Sequence, residues 1–184
     1  DVSRYYPMGT LEGNAPPDTK LTEEPWFSPT GPELNPSRHS TWSPLYLDGA
    51  GNGLMITTCT PVYASAVFDG VVCMDVTLRQ LLNHLTELRP TPNSYAFLTD
   101  ASGRLIAGSP SAIKQLTGND TIPVPADRSQ PIGLVLSDPK IGKLVHADTN
   151  EIQTVEIAGQ PMFLATAKLA SIDWRLTVVA PIDE

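Results

Sequence analysis

Residues 54–88 read LMITTCTPVYASAVFDGVVCMDVTLRQLLNHLTEL, and this stretch decides the fold. Residues 54–62 are rich in Met, Ile and Thr, and residues 67–76 are rich in Val. Two such runs on either side of a short break near residues 64–66 are typical of paired antiparallel strands. The first part of the stretch therefore predicts a β-hairpin.

A helix is predicted to follow the hairpin at once. Thr77 is a suitable N-cap residue. Leucines then recur at helical spacing as far as the break at Pro90 and Pro92, namely Leu78, Leu81, Leu82, Leu85 and Leu88. This stripe could bind a partner helix or pack into the core of the protein, and we favour the core.

The second half of the chain follows the same plan of hairpins and short helices. We predict strands at residues 95–99 and 105–107, helices at 111–116 and 141–146, and closing strands at 152–158, 161–169 and 173–180. Antiparallel sheets with flanking helices define the α+β class.

A proline-rich segment precedes the hairpin. Residues 7–45 contain eight prolines, a density that excludes long helices and central strands. Long ordered loops of this kind are uncommon and often functional. The aromatic residues Trp26, Phe27 and Trp42 indicate that this loop packs onto the domain or holds something. Residues 1–6 in turn read like a strand.

Composition narrows the class of function. The 184 residues are 41% hydrophobic and 17% charged, which is an ordinary globular composition, and the formal net charge is -8. Lys and Arg are scattered, so no basic patch is available to neutralise phosphates, and we expect no nucleic-acid partner. No run approaches the roughly 20 apolar residues of a membrane span. An acidic surface favours cationic small molecules.

The chain resembles the double Cache sensor domains, which lie outside the membrane in bacterial histidine kinases, chemoreceptors, diguanylate cyclases and phosphatases. Four stretches carry the resemblance in order: residues 42–48 (WSPLYLD), 55–78, 95–107 (YAFLTDASGRLIA) and 174–181 (WRLTVVAP). It implies two PAS-like modules, a membrane-distal, ligand-binding module at 1–90 and a membrane-proximal module at 91–184. The family begins with a long helix that has no counterpart in this sequence, so we expect the distal module to be truncated.

The resemblance also implies a setting. The chain is expected to be the periplasmic or extracellular portion of an inner-membrane protein, continuous with transmembrane helices and a cytoplasmic output domain, and able to form a homodimer. It is expected to bind a small molecule, to need no cofactor and not to be an enzyme.

In amino-acid-sensing members of the family, a basic residue two positions before a Trp-Tyr pair holds the ligand carboxylate. A downstream Tyr and two Asp hold the ligand ammonium group. The matching residues here are, in order, Trp26, Phe27, Tyr46, Asp48 and Asp75. The basic position is occupied by Glu24, which would repel a carboxylate.

This departure favours a cationic ligand, an amine or an amino-acid-like cation, over an organic acid, with Trp42 as a further aromatic wall. Arg38 would restore carboxylate binding if the loop folded it inward. Each residue also has a purely structural interpretation: Asp48 could cap a turn within 48–53, and Asp75 could favour the dipole of the helix that follows it. The loop at 48–53 lacks the spaced acids of a calcium site.

The two cysteines have two structural interpretations. In a hairpin centred on Ala66, Cys59 stands opposite Cys73, and Thr57 stands opposite Asp75, which places the Thr57 hydroxyl on the pocket face. Cys59 and Cys73 form a cross-strand disulfide or are two small buried thiols.

No catalytic pattern is present in the sequence. His39, His84 and His146 are scattered without partners at metal-ligand spacing, and neither a phosphate loop nor a nucleophile elbow occurs. The functional alternatives are a structural or protein-interaction module without a ligand and, less favoured, a fragment of a hydrolase.

Overall fold

The computed structural model describes residues 20–49, 52–125, 130–147, 149 and 151–184. The chain divides into two compact units, residues 1–75 and 76–184. Each described unit contains an antiparallel sheet, and helices accompany the second, so the predicted α+β class with two PAS-like modules is confirmed.

The first unit is built on one long hairpin. β3 (Leu54–Ala64) pairs with β4 (Val67–Thr77), and two short strands, β1 (Thr41–Trp42) and β2 (Tyr46–Leu47), also pair with β3. Trp42 lies opposite Thr58, and Tyr46 lies opposite Met55. The loop before these strands contains two 3-10 helices, Leu21–Glu23 and Ser28–Thr30.

The hairpin turns where the sequence predicts it. Ser65 and Ala66 connect β3 to β4, and both have positive φ, 48° and 72°. Left-handed conformations at both central residues are typical of the two-residue turn that matches the twist of paired strands. The predicted hairpin is therefore confirmed.

The second unit contains a six-stranded sheet in the order β7-β6-β5-β10-β9-β8. Its elements are α1 (Leu78–Glu87), β5 (Tyr95–Thr99), β6 (Arg104–Gly108), α2 (Pro110–Thr117), β7 (Leu134–Val135), α3 (Pro139–His146), β8 (Gln153–Ile157), β9 (Gln160–Leu169) and β10 (Trp174–Pro181). The predicted strands and helices of this half are confirmed. β7 was not predicted, because a two-residue strand leaves no alternating pattern in the sequence.

The start of α1 is fixed by a capping box. The Thr77 hydroxyl accepts a hydrogen bond from the backbone N–H of Gln80 (3.3 Å), and the Gln80 side chain accepts one from the backbone N–H of Thr77 (3.0 Å). These two bonds satisfy backbone donors that a helix start would otherwise leave unpaired. Thr77 is thus the N-cap, as predicted.

The leucine stripe of α1 packs into the protein. Leu78 and Leu85 are buried, and the helix lies against β5 and β6 of the second unit. The interpretation of the stripe as core is confirmed for Leu78 and Leu85, whereas Leu81 and Leu82 are half-buried and Leu88 is exposed. The division drawn from the sequence at residue 90 placed this helix with the first module, whereas its packing partners belong to the second unit.

A single hydrophobic core fills the second unit. It joins the sheet to α2 and α3 through side chains that are at most 1% exposed, among them Phe97, Leu105, Leu116, Val145 and Leu164. Fully burying one such side chain stabilises a fold by about 1.5–3 kcal/mol. This unit therefore carries a conventional apolar core.

Residues 1–6, predicted as a strand, lie outside the described residues, as does the place where the family's long first helix would stand. Among the described residues, no helix has both the length and the hydropathy that crossing a bilayer requires.

Burial of Tyr95 makes the second unit sensitive to alkaline pH. Tyr95 is 5% exposed, and burial raises its pKa from the ordinary 10.0 to about 12. The unfolded chain releases this proton first, so the stabilisation is complete below pH 10 and is lost as the pH rises towards 12. Between pH 9 and 11.5, we expect the free energy of unfolding of the wild type to fall by about 2 kcal/mol more than that of Tyr95→Phe.

Urea denaturation at each pH measures this difference. Tyr63→Phe, which removes a phenol from the first unit, is the matched control and should follow the wild type. Parallel pH profiles for the wild type and Tyr95→Phe would contradict the prediction.

Candidate functional site

A chain of hydrogen bonds crosses three strands of the first unit. The Tyr46 hydroxyl on β2 lies 2.7 Å from the Thr57 hydroxyl on β3, which donates to Oδ1 of Asp75 on β4 at 2.7 Å. Tyr46 is 8% exposed and Thr57 is 1% exposed. The Thr57–Asp75 contact confirms the cross-strand register predicted for the hairpin. We call these three residues the triad.

The direction of the protons in the triad follows from the number of donors. A threonine hydroxyl carries one hydrogen, and Thr57 gives it to the Asp75 carboxylate. The bond between Tyr46 and Thr57 must therefore be donated by Tyr46. The Met55 sulfur, 3.4 Å from the Tyr46 oxygen, is then a neighbour rather than the acceptor of that hydrogen.

Ser43 anchors the middle residue of the triad, Thr57. Its hydroxyl accepts a hydrogen bond from the backbone N–H of Thr57 (2.9 Å) and donates to the carbonyl of Pro44 (2.8 Å). Its backbone N–H donates to the Thr57 carbonyl at 2.8 Å. Ser43 was not among the predicted site residues. Its position before Pro44 in the segment WSPLYLD was the available signal, because Ser-Pro steps favour turns.

The charges of three predicted site acids act on the hydroxyl group of Tyr46. Burial raises the pKa of Tyr46, and the charges of Asp75, Asp48 and Glu24 raise it further, while the hydrogen bond with Thr57 lowers it. The net direction is upward, so Tyr46 is a neutral phenol at physiological pH. The three carboxylates predicted for the site thus all act on the same hydroxyl group.

Asp48 also has a structural task. Its Oδ2 accepts hydrogen bonds from the backbone N–H of Asn52 (3.1 Å) and from the Asn52 side chain (2.7 Å), and its own N–H donates to the Gly53 carbonyl (2.9 Å). The turn-capping role considered for this residue is therefore present. Contact of Asp48 with a ligand stays a prediction.

The loop bearing Glu24 and Trp26 lies against β3. The Glu24 carbonyl accepts hydrogen bonds from the N–H groups of Phe27 and Ser28, both at 3.0 Å, which closes a tight turn. The Trp26 carbonyl oxygen lies 3.3 Å from the sulfur of Cys59. That sulfur carries no hydrogen in a disulfide, so this approach is a van der Waals contact.

The aromatic side chains take different directions. The rings of Trp26 and Phe27 meet edge to face at 5.7 Å, and Phe27 meets Phe68 at 6.1 Å. Phe68 precedes Asp75 by seven residues on β4, which is about 23 Å along a strand. Phe27 therefore packs towards the turn end of the hairpin, away from the triad.

Two further candidates lie outside the triad. Trp42 is half-buried on β1, opposite Thr58. The Arg38 guanidinium stacks on the ring of Tyr63 at 4.1 Å from its centroid, near the turn end of the hairpin. The structure places Arg38 on an aromatic face rather than on one of the triad residues.

Cys59 and Cys73 form a disulfide between β3 and β4, with their Cα atoms 4.1 Å apart. Of the two alternatives left open by the sequence, the bonded one is present. In the part of the chain that the structure describes, no cluster of three or more His, Cys, Asp or Glu side chains is arranged to hold a metal ion.

No protein-family model matches the chain, and no curated protein sequence matches it. Solved structures do match. The ligand-binding domain of Mlp24 with asparagine aligns with a TM-score of 0.56 at 20% identity, over 92% of this chain and 60% of that one.

Two Pseudomonas structures align equally well. The ligand-binding domain of the Pseudomonas fluorescens chemoreceptor CtaA in complex with L-serine has a TM-score of 0.58 at 22% identity, over 92% of this chain and 65% of that one. The ligand-binding domain of the Pseudomonas aeruginosa PAO1 amino acid chemoreceptor PctB with L-Arg has a TM-score of 0.57 at 18% identity, with 92% and 64% covered.

The chain thus spans less than two thirds of the length of each of these structures. At such identities the likeness concerns the fold. The chain has the fold of chemoreceptor ligand-binding domains, which is the fold that the resemblance to double Cache sensor domains predicted.

Proposed function

We propose that this chain is the ligand-sensing domain of a transmembrane receptor and that its first unit binds a small molecule through an ammonium group. The observation that carries the proposal is the triad, in which Tyr46 donates to Thr57 and Thr57 donates to Asp75. Both hydroxyl hydrogens of the triad are donated to other members of the triad. The atoms it can offer to a ligand are lone pairs, on the Tyr46 oxygen and on Oδ2 of Asp75, and lone pairs require a ligand that donates hydrogen bonds.

The charges around the triad favour a cation. Asp75, Asp48 and Glu24 all act on the Tyr46 hydroxyl. Residues 20–75 carry six carboxylates and two basic side chains, Lys20 and Arg38. Lys20 pairs with Glu23 at 2.9 Å, and Arg38 covers Tyr63. An ammonium group bonded to a carboxylate forms a charge-assisted hydrogen bond, which is about twice as strong as a neutral one.

Aromatic surface supports the same ligand class. Tyr46 belongs to the triad, and Trp26 lies half-buried on the loop that contacts Cys59. A cation over an aromatic face gains about 0.5–2 kcal/mol. Phe27 packs with Phe68 towards the turn end of the hairpin, and Trp42 lies opposite Thr58, on the face of β3 opposite to that of Thr57, so we leave both outside the proposed site.

The matched chemoreceptor domains are described with asparagine, L-serine and L-arginine, each of which carries an ammonium group and a carboxylate. We propose that this chain shares recognition of the ammonium group and differs at the carboxylate, because Glu24 stands where a basic residue would bind it. We therefore expect small amines to bind more tightly than amino acids.

We further propose that the chain is an extracytoplasmic, non-catalytic part of a receptor whose transmembrane helices and cytoplasmic output domain read the occupancy of this site, and that such receptors pair as homodimers. The proposed boundary between the modules moves from residue 90 to residue 75, so that the ligand-binding module is the first unit and the membrane-proximal module is the second.

Matched ligand pairs test the preference for amines. L-serine against ethanolamine and L-arginine against agmatine differ by one carboxylate. Because a bound ligand stabilises the folded state by mass action, we expect the amine of each pair to raise the melting temperature more than the amino acid at equal concentration. Thermal unfolding measures the rise in melting temperature with each ligand, and isothermal titration calorimetry measures its dissociation constant.

If the amino acids stabilise the protein and the amines do not, a cation holds the carboxylate, and the proposed role of Glu24 is wrong. If neither class binds at millimolar concentration, the alternative of a structural or protein-interaction module is supported instead.

Asp75→Asn keeps the size of the side chain and removes its charge. We expect it to weaken amine binding by about tenfold or more, because the charge-assisted bond becomes a neutral one. Asp69→Asn is the matched control: it removes the same charge from the same strand, six residues away on the exposed surface, and should bind amines as the wild type does. Equal losses in both variants would indicate a general effect of net charge.

Glu24→Lys should reverse the preference between amines and amino acids. A lysine ammonium at this position repels an amine and attracts a carboxylate, so we expect the ratio of the two dissociation constants to invert. Glu23→Lys makes the same change in charge at the neighbouring exposed residue and should leave the ratio near its original value. Calorimetric titration with L-arginine and agmatine gives both constants, and an unchanged ratio in Glu24→Lys places that residue outside the site.

A further inference from the structure

The Cys59–Cys73 disulfide lies next to the triad. Cys59 follows Thr57 by two residues on β3, and Cys73 precedes Asp75 by two residues on β4. Successive side chains of a strand point to opposite faces, so residues two apart share a face. The disulfide and the Thr57–Asp75 hydrogen bond are therefore neighbouring cross-strand links on the same side of the hairpin.

Thr57 and Asp75 are held in place to different degrees. Thr57 is 1% exposed and is fixed by Ser43 and Tyr46. Asp75 lies on β4, whose residues 72–75 are exposed, and within the described chain β3 is the strand that pairs with β4. Strands held along one edge open locally at a lower cost than central strands.

The disulfide also contacts the loop that supplies the rest of the site. The Cys59 sulfur lies against the Trp26 carbonyl oxygen at 3.3 Å, and Glu24 closes the turn that contains Trp26. The covalent bond thus connects the exposed strand that bears Asp75 with the buried strand that bears Thr57, and its buried sulfur touches the loop that bears Trp26. The Thr57–Asp75 hydrogen bond alone cannot hold this geometry as firmly, since the net contribution of one hydrogen bond is small.

We propose that the Cys59–Cys73 disulfide positions Asp75 against Thr57, so that the disulfide-bonded chain binds the ligand with full affinity and the reduced chain does not. The proposal rests on the proposed function, because it concerns the same site. It assigns the two cysteines as positioning residues rather than as ligand contacts.

A reductant in solution can reach this bond. Cys73 is exposed, whereas Cys59 is 1% exposed, so a dithiol reductant attacks the sulfur of Cys73. The S–S bond of the protein breaks, and two electrons and two protons pass to Cys59 and Cys73 as the dithiol closes to its own cyclic disulfide. The reaction restores two thiols without changing any triad residue.

The test compares three forms of the whole chain: wild type, wild type with a dithiol reductant, and Cys59→Ala/Cys73→Ala. Binding of agmatine is measured by calorimetry well below the melting temperature of the least stable form. We expect about tenfold weaker binding in the reduced and double-variant forms, similar to the loss in Asp75→Asn. The reductant should not change the affinity of the double variant.

A double-mutant cycle separates positioning from general stabilisation. If the disulfide acts through Asp75, adding Asp75→Asn to the double cysteine variant causes little further loss of affinity. Losses that add in full, or undiminished affinity in a folded variant without the disulfide, would overturn the proposal. A chain that unfolds on reduction would overturn it too, because the bond would then be a requirement for folding.

A readout without ligand keeps this test independent of the proposed function. In the oxidised, ligand-free protein, nuclear Overhauser contacts between the Thr57 methyl group and the Asp75 β protons should be present, and they should weaken or vanish in the double variant. If no amine binds the wild type, the proposed function fails, while these contacts still decide the positioning role. Contacts that persist unchanged without the disulfide would show that the bond does not position Asp75.

Discussion

Pairing between β3 and β4 brings Thr57 next to Asp75 and Cys59 next to Cys73, and the candidate site depends on that pairing. A shift by one residue would turn every side chain of β4 to the opposite face. The Cys59–Cys73 disulfide acts against such a shift. The same strand continues to Thr77, which caps α1, so β4 links the end of the site to the start of the second unit along the chain.

The hairpin and α1 were predictable because each leaves a periodic pattern in the sequence. Cys59 and Cys73 could be placed opposite each other from the turn near Ala66, and Thr57 opposite Asp75 followed from the same register. A helix with leucines every three or four residues after a threonine has few other interpretations. These elements rest on local rules that a single sequence contains.

The loop before the hairpin was less predictable. Its prolines exclude regular elements, but they do not determine where a side chain points. Phe27, a predicted site residue, meets Phe68, and Arg38 stacks on Tyr63, which are contacts that the sequence does not indicate. Ser43 was missed because its role depends on a backbone N–H of another strand. Contacts of this kind are decided by tertiary packing, which no spacing rule describes.

The direction of the hydrogen bonds in the triad determines how methyl groups on the nitrogen of a ligand would affect its binding. With Tyr46 donating to Thr57 and Thr57 to Asp75, only hydrogens supplied from outside can be bonded there. A primary ammonium group brings three such hydrogens, and each methyl group on the nitrogen removes one while the charge stays the same. A site of this design would rank ligands by their degree of methylation, so that a quaternary ammonium ion would keep only its attraction to the aromatic faces.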